Sequence, residues 1–368
     1  MNKVLMITKT LDNKGGLGRY SLSIFEELKR QGYFVLAIVE GARSAKDAYV
    51  ILRPLSGIAK FFVFIKNLIS VRRKAKKFNI IHALDGWPYG VYGYFAVLGT
   101  NKKLFISGIG TYSVAPLRDL VRGLLLKRAY KRANKIFCIS DYTKKQISKL
   151  APLKNITTVL MGTTQLVELS YEEISRYKTI YEIKNNFPIV VTVGDIKERK
   201  GQLDTLKSLN LLKEKYPDFK YFIVGSDGDI YYVAKIKDFI KENSLDDNVK
   251  IVSGMYDDKE LSFFYQACDV FALNSNNDGD HFEGFGLVLL EVAQFGKPVI
   301  GSKNCGIESA MKDGFNGYLT EQKDIDDISN KLVKVLDNRE MLGKNSKKFY
   351  KDFSWEKTVA EYMKYYKL

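Results

Sequence analysis

Glu283 and Glu291 stand on either side of a glycine-bearing turn in the run HFEGFGLVLLEVAQFGKPVIGSKNCGIES, residues 281–309. Gly284 and Gly286 let the backbone approach a ligand closely, and Gly286 suits a turn that a side chain would resist. From Leu287 to Phe295 the spacing predicts a helix, stopped by Gly296 and Pro298. A helix opening from such a turn presents unpaired N–H groups and the positive end of its dipole, which suits a phosphate. Carboxylates repel a phosphate and are better matched to neutral hydroxyls, as a sugar provides. Phosphate at the helix start with hydroxyls on both sides describes a nucleotide-sugar. The same letters also fit a buried core helix whose glutamates pair with lysines.

Other residues could serve the same chemistry. In GDIKERKG, residues 194–201, Arg199 and Lys200 follow a strand-like run and precede a helix. Two adjacent cations there can neutralise a diphosphate leaving group, although a lone Arg-Lys pair is also a common surface feature. Lys14-Gly15-Gly16-Leu17-Gly18-Arg19 is a second phosphate-loop candidate, or a plain strand-to-helix turn. It lacks G-x-G-x-x-G spacing, and no acid ends the second strand in a way that suits the ribose of a dinucleotide, Glu40 being the only candidate. His82 and His281 are the only histidines, and no Ser/His/Asp or Cys/His set appears in order, so triad hydrolysis is unsupported. Cys138, Cys268 and Cys305 are far apart and lack metal-ligand spacing, which fits inert thiols in a reduced cytosol.

The run Glu283-Gly-Phe-Gly-Leu-Val-Leu-Leu-Glu291, then Gly296-Lys-Pro-Val-Ile300 and Gly314-Phe-Asn-Gly-Tyr-Leu319, resembles the family four retaining glycosyltransferases (glycosyl transferases group 1) in order and spacing. The resemblance runs from Gly15-Gly16 to a helix around Trp355 and is strongest over 188–320. It implies the α/β GT-B fold, with two Rossmann-like domains facing a central cleft. Residues 1–165 would bind the acceptor, 166–350 the nucleotide-sugar, and 351–368 would form a helix packing back towards the first domain.

By the same resemblance Glu283 holds donor-sugar hydroxyls, Glu291 the ribose hydroxyls, and Arg199 and Lys200 stabilise the departing diphosphate. Phe285, Gly286 and the N–H groups of Leu287 and Val288 bind the donor, and Gly15 and Gly16 close over its diphosphate. Retaining transfer of this kind needs no protein nucleophile, and neither a metal nor another cofactor is expected. Asp227-Gly-Asp229 and Asp278-Gly-Asp280 are accordingly read as turns. The chain departs from its relatives at Asp195, often Arg there, and at Ile109 in SGIGTY, where many carry a His.

Positioning these residues calls for two α/β domains, and 368 residues suffice for both. Strands are predicted over 3–8, 34–39, 80–83, 104–107, 136–139, 157–160, 188–194, 219–225, 249–254, 270–274 and 299–302. A helix is predicted over 21–31 after a glycine-rich loop, another starts at the Ser140 cap, and 165–187 reads as a polar link. MNKVLMIT fits a first buried strand and not a signal peptide, and no uncharged apolar run is long enough to span a membrane.

The net charge of +16 is unevenly spread. Residues 1–150 hold 28 Lys and Arg against 8 Asp and Glu, leaving 30 against 34 in the remainder. Such asymmetry suggests a polyanionic partner. GIAKFFVFIKNLISVRRKAKKF (57–78) and LRDLVRGLLLKRAYKRANK (117–135) mix apolar anchors with basic neighbours. They suit interfacial helices on anionic lipid, or ordinary amphipathic helices with solvated lysines. No zinc, helix-turn-helix or RNP-like signature supports nucleic acid. The expectation is a cytoplasmic enzyme, peripheral on the inner face of the membrane. It would move a hexose from a UDP- or GDP-sugar to a glycan or lipid-linked acceptor in bacterial surface polysaccharide or lipopolysaccharide assembly. A basic nucleic-acid-binding protein and an NAD-binding Rossmann protein are the alternatives.

Overall fold

The computed structural model describes residues 3–13, 15–254 and 257–367. The chain divides into two compact units, one of Met1–Gly162 with Ser354–Leu368 and one of Thr163–Phe353.

In the first unit β1 (Lys3–Thr8), β2 (Phe34–Val39), β3 (Ala48–Val50), β4 (Ile80–Ala83), β5 (Lys103–Gly108), β6 (Lys135–Cys138) and β7 (Ile156–Thr158) form a parallel sheet. Their order is β3-β2-β1-β4-β5-β6-β7. Helices α1 (Gly15–Arg30), α2 (Lys60–Ala75), α3 (Val91–Val97), α4 (Thr111–Val114), α5 (Leu120–Arg132) and α6 (Asp141–Leu150) make the crossovers. Strands covered on both faces must be apolar nearly throughout, and Val4, Leu5, Met6 and Ile7 are all fully buried.

The second unit is built alike from β8 (Ile189–Val193), β9 (Lys220–Val224), β10 (Val249–Val252), β11 (Val270–Leu273), β12 (Val299–Ser302) and β13 (Gly317–Thr320). Their order is β10-β9-β8-β11-β12-β13, again parallel. Its helices are α7 (Tyr171–Ile180), α8 (Gln202–Leu211), α9 (Ile230–Glu242), α10 (Asp258–Ala267), α11 (Leu287–Ala293), α12 (Ile325–Asp337) and α13 (Arg339–Tyr350). The chain then returns to the first unit as α14 (Trp355–Lys367), which packs on α1.

A buried polar network fastens α14. Tyr20 on α1 donates to Ser107 Oγ on β5 at 2.8 Å and lies 2.9 Å from the Tyr362 hydroxyl. His82 on β4 bridges Tyr366 (2.6 Å from Nδ1) and Ser107 (3.0 Å from Nε2). Burial pushes the His82 pKa down to about 3, so the ring stays neutral.

Several elements differ from expectation. The glycine run is not a loop before a helix at Ser21, because α1 already starts at Gly15, and Lys14 lies outside the described residues. The stretch 165–187 is not merely a link. It contains α7, nucleated by a Ser170–Glu173 capping box that satisfies two backbone donors. Helix α11 ends at Ala293, two residues early. Strands β3 and β13 carry too few apolar residues to announce themselves, and pairing with β2 and β12 supplies the missing stability.

Candidate active site

In the second sheet β8 and β11 are neighbours whose onward crossovers diverge, to β9 on one side and to β12 on the other. Such a switch point opens a crevice beyond the carboxyl ends of the two strands. Two loops leave there, 194–201 after β8 and 274–286 after β11.

The first loop holds the cations on a short turn, Glu198–Lys200, that ends at Gly201 in the left-handed region (φ 66°). A Cβ on Gly201 would fall 1.8 Å from the Asn274 carbonyl oxygen, so only glycine lets this turn rest on the end of β11. The contact is reinforced where the Asn276 N–H donates to the Arg199 carbonyl at 2.8 Å. Asn274 donates to Thr205 Oγ1 at 2.9 Å and accepts from Thr320 Oγ1 at 3.1 Å.

The second loop brings Glu283 to both cations. Lys200 Nζ lies 2.6 Å and Arg199 Nη1 3.3 Å from the same oxygen, Glu283 Oε2. Burial alone would raise the Glu283 pKa, but the Lys200 and Arg199 charges outweigh it and hold the carboxyl below its ordinary value. One carboxylate against two cations leaves a net positive charge in a poorly solvated place, where it attracts an anion strongly. The Gly306 N–H donates to the Glu283 carbonyl at 2.7 Å, and a Cβ on Gly306 would sit 2.0 Å from the Gly284 oxygen. Gly306 thus fixes the backbone under Glu283.

Beyond it Gly286 (φ 87°) caps α11 from the left-handed region. The N–H groups of Leu287 and Val288 fall in the first turn, where no carbonyl four residues back lies within the helix. Phe285 is buried, in tilted contact with Phe353. Glu291, one turn further on, is 3 % exposed and accepts from Tyr265 at 2.7 Å.

Two family models match the chain, "Glycosyltransferase Family 4" over residues 14–163 and "Glycosyl transferases group 1" over residues 173–351. The chain is a glycosyltransferase of the GT4, GT-B type. It is similar to an uncharacterised glycosyltransferase of Methanocaldococcus jannaschii, 29% identical over 85% of this chain and 81% of that one. It is also similar to the capsular polysaccharide biosynthesis glycosyltransferase CapM of Staphylococcus aureus, 25% identical over 74% and 73%. Anabaena HepE, solved with UDP and glucose, superposes with a TM-score of 0.80 at 18% identity over 99% of this chain and 100% of that one, a likeness of fold.

The glycosyltransferase therefore collects Arg199, Lys200 and Glu283 into one hydrogen-bonded cluster, with Phe285, Gly286, Leu287, Val288 and Glu291 continuing from it along the same segment. Gly15 and Gly16 lie in the other unit, exposed, in the first turn of α1, with open space where a Cβ would stand. Gly18 has a different task, since a Cβ there would strike Asp12. Asp195 is salt-bridged to Lys197 at 2.8 Å. The Ile109 N–H donates to Ser113 Oγ at 3.2 Å. Asp229 caps α9, and Asp278 and His281 close a tight turn through Gly279. Glu40 accepts from Tyr89 at 3.2 Å.

Sequence reasoning missed Gly201, Gly306, Asn274, Asn276 and Tyr265. The glycines carried a signal, each next to a candidate residue or inside the quoted run. Tyr265 carried none.

Proposed function

We propose that this glycosyltransferase moves a hexose, with retention of anomeric configuration, from a UDP- or GDP-sugar to a glycan or lipid-linked acceptor. The observation that carries this reading is the net-positive Arg199–Lys200–Glu283 cluster at the switch point of the second sheet. In it Arg199 and Lys200 take the charge that develops on the diphosphate as the anomeric C–O bond breaks. Glu283 aligns the cations and offers Oε1 to donor hydroxyls. Glu291 takes the ribose hydroxyls, exchanging its Tyr265 bond for them or sharing it. The N–H groups of Leu287 and Val288, together with Phe285, Gly286, Gly15 and Gly16, bind the rest of the donor. The acceptor oxygen bonds the anomeric carbon on the face that the phosphate leaves, and its proton passes to the departing phosphate oxygen. Neither a protein nucleophile nor a metal is needed in this scheme.

The acceptor reading rests on charge and exposure. Helices α2 and α5 flank α3 in one layer of the first unit. Phe61, Phe62, Ile65 and Ile69 on α2 are exposed, as are Leu120, Val121 and Leu124 on α5, interleaved with ten Lys and Arg and no acid. Apolar side chains amid cations fit an anionic bilayer. The enzyme would then work peripherally on the inner face of the cell membrane, in surface polysaccharide or lipopolysaccharide assembly. Among the described residues no helix is long and apolar enough to cross a membrane.

Thermal-shift titration with UDP-, GDP- and ADP-sugars tests the donor. Glu291→Ala should weaken nucleotide binding, and Lys200→Ala should lower the transfer rate about 100-fold or more while weakening nucleoside binding less. Normal turnover in both variants would refute the assignments. Flotation with phosphatidylglycerol liposomes at low salt tests the membrane, and a protein that stays at the bottom of the gradient sinks that part.

A further inference from the structure

Asp85, two residues beyond β4, is held at φ 154° and ψ 163°, a conformation that L residues other than glycine rarely adopt. It is 4 % exposed. Its Oδ1 accepts from the Gly86 N–H and from Ser113 Oγ, both at 2.6 Å. The surroundings are closely packed, since a Cβ on Gly86 would meet the Tyr130 hydroxyl at 2.5 Å and the Ser113 Cα at 2.9 Å. Among the described residues Oδ2 has no hydrogen-bond partner and no cation pairs with the group. Burial raises the Asp85 pKa to about 7, against the lowering effect of the Ser113 and Gly86 hydrogen bonds.

The backbone conformation and the burial of an unpaired carboxylate both oppose folding. A glycine would relieve the backbone, and an asparagine would keep both bonds without burying a charge. Position supplies the reason for an acid. In the first sheet β1 leads to β2 and β3 on one side, while β4 leads to β5, β6 and β7 on the other. Asp85 therefore follows directly from the switch point of this sheet, where open α/β sheets bind ligands beyond the strands' carboxyl ends. Its fixed, unpaired oxygen suits a neutral hydroxyl, which donates a short charge-assisted bond to a carboxylate.

We propose that Asp85 is an acceptor-binding residue whose Oδ2 receives the hydrogen bond of an acceptor hydroxyl. It aligns that hydroxyl for attack and takes no proton from it. The inference rests on the glycosyltransferase reading above and adds the carboxylate that would select and orient the acceptor. The titratable groups facing Asp85 are the phenols of Tyr89 from its own turn, with Glu40 beyond it, and Tyr130 from α5. Burial pushes both phenols up, so the phenols do not ionise near neutral pH.

The test compares full-length wild type, Asp85→Asn and Ser113→Ala. Each is assayed with UDP-, GDP- and ADP-hexoses against octyl glycosides and short-chain prenyl-diphosphate sugars, and UDP and GDP binding is followed by calorimetry. Asp85→Asn should bind the nucleotide within about 2-fold of wild type and transfer about 100-fold more slowly. It should also unfold at a higher temperature at pH 8, since the buried charge is gone. Wild-type kcat/KM for the acceptor should rise through about pH 7, and the Asn variant should lack that limb. Ser113→Ala should retain the limb but move it to higher pH, because one stabilising bond to the carboxylate is lost. If Asp85→Asn transfers at the wild-type rate, Asp85 is not an acceptor ligand. Equal losses in both variants with unchanged pH profiles would make it a tie between loops and overturn the proposal. A wild type that binds a nucleotide but transfers to nothing in the panel overturns the acceptor class and the Asp85 assignment with it, whereas one that binds none of the nucleotides removes the reading on which both rest.

Discussion

Glu283 draws two cations onto one oxygen and so sets the charge of the site. Replacing it by Gln leaves Lys200 and Arg199 facing each other without a counter-charge. The expected loss is about 1–3 kcal/mol of stability in urea unfolding at pH 7. The loss should shrink as pH falls through the wild-type Glu283 pKa, because a carboxyl held below its ordinary value contributes only while ionised. Gly306 is as constrained as any acid here. Gly306→Ala would place a methyl group 2.0 Å from the Gly284 oxygen and push the Glu283 backbone away from the cations. A drop of about 1–3 kcal/mol and weaker nucleotide binding are expected, measured by denaturant midpoint and calorimetry. His82 loses stability in the same direction as Glu283, but through burial and not through an ion pair. The unfolded chain takes up a proton near pH 6.5 that the folded one refuses until about pH 3, so this residue costs stability as pH falls across that window. Relative to wild type, His82→Gln should gain stability on acidification from pH 7 to 4, followed by urea midpoints.

At the scale of elements, α2 and α5 carry the prediction that matters for location. Phe61→Ser with Phe62→Ser should reduce liposome flotation at least 5-fold while leaving the unfolding temperature within about 2 °C, because both rings are exposed and fill no core. The elements also mark what the sequence could disclose. Strands such as β1 and β8, buried on both faces, read as unbroken aliphatic runs and were placed within a residue or so. Helix α7 escaped because none of its residues is fully buried and its apolar positions, Tyr171, Ile174, Tyr177 and Ile180, lie among charged ones, leaving the capping box as its clearest mark. The Glu283–Glu291 segment was legible because its glycines sit at fixed offsets from its acids. The meeting of Glu283 with Lys200 was not, because it depends on β8 and β11 being sheet neighbours although 76 residues lie between them. Only the sheet order brings the two loops together. Asp85 lies two residues beyond the strand predicted over 80–83, but its backbone angle and burial have no signature in composition.

On the scale of the molecule, charge and framework are divided between the two units. The first carries the basic excess and the second the Arg199–Lys200–Glu283 cluster. Both tryptophans, Trp87 and Trp355, belong to the first, so intrinsic tryptophan emission reports that unit alone. Tyr366→Phe, which strips His82 Nδ1 of its partner, should shift that emission transition by about 1–2 kcal/mol and leave the nucleotide-induced thermal shift intact. Because α14 supplies Tyr362 and Tyr366 to a network whose other members are Tyr20, His82 and Ser107, the first unit is discontinuous in the chain. On the ribosome this inverts the usual order, in which the amino-terminal domain matures first. Residues 163–353 emerge whole and can close their core while the earlier-made sheet still waits for its final helix. Until residue 367 has cleared the exit tunnel, the basic half of the chain lacks the helix that supplies Tyr362 and Tyr366 to its core.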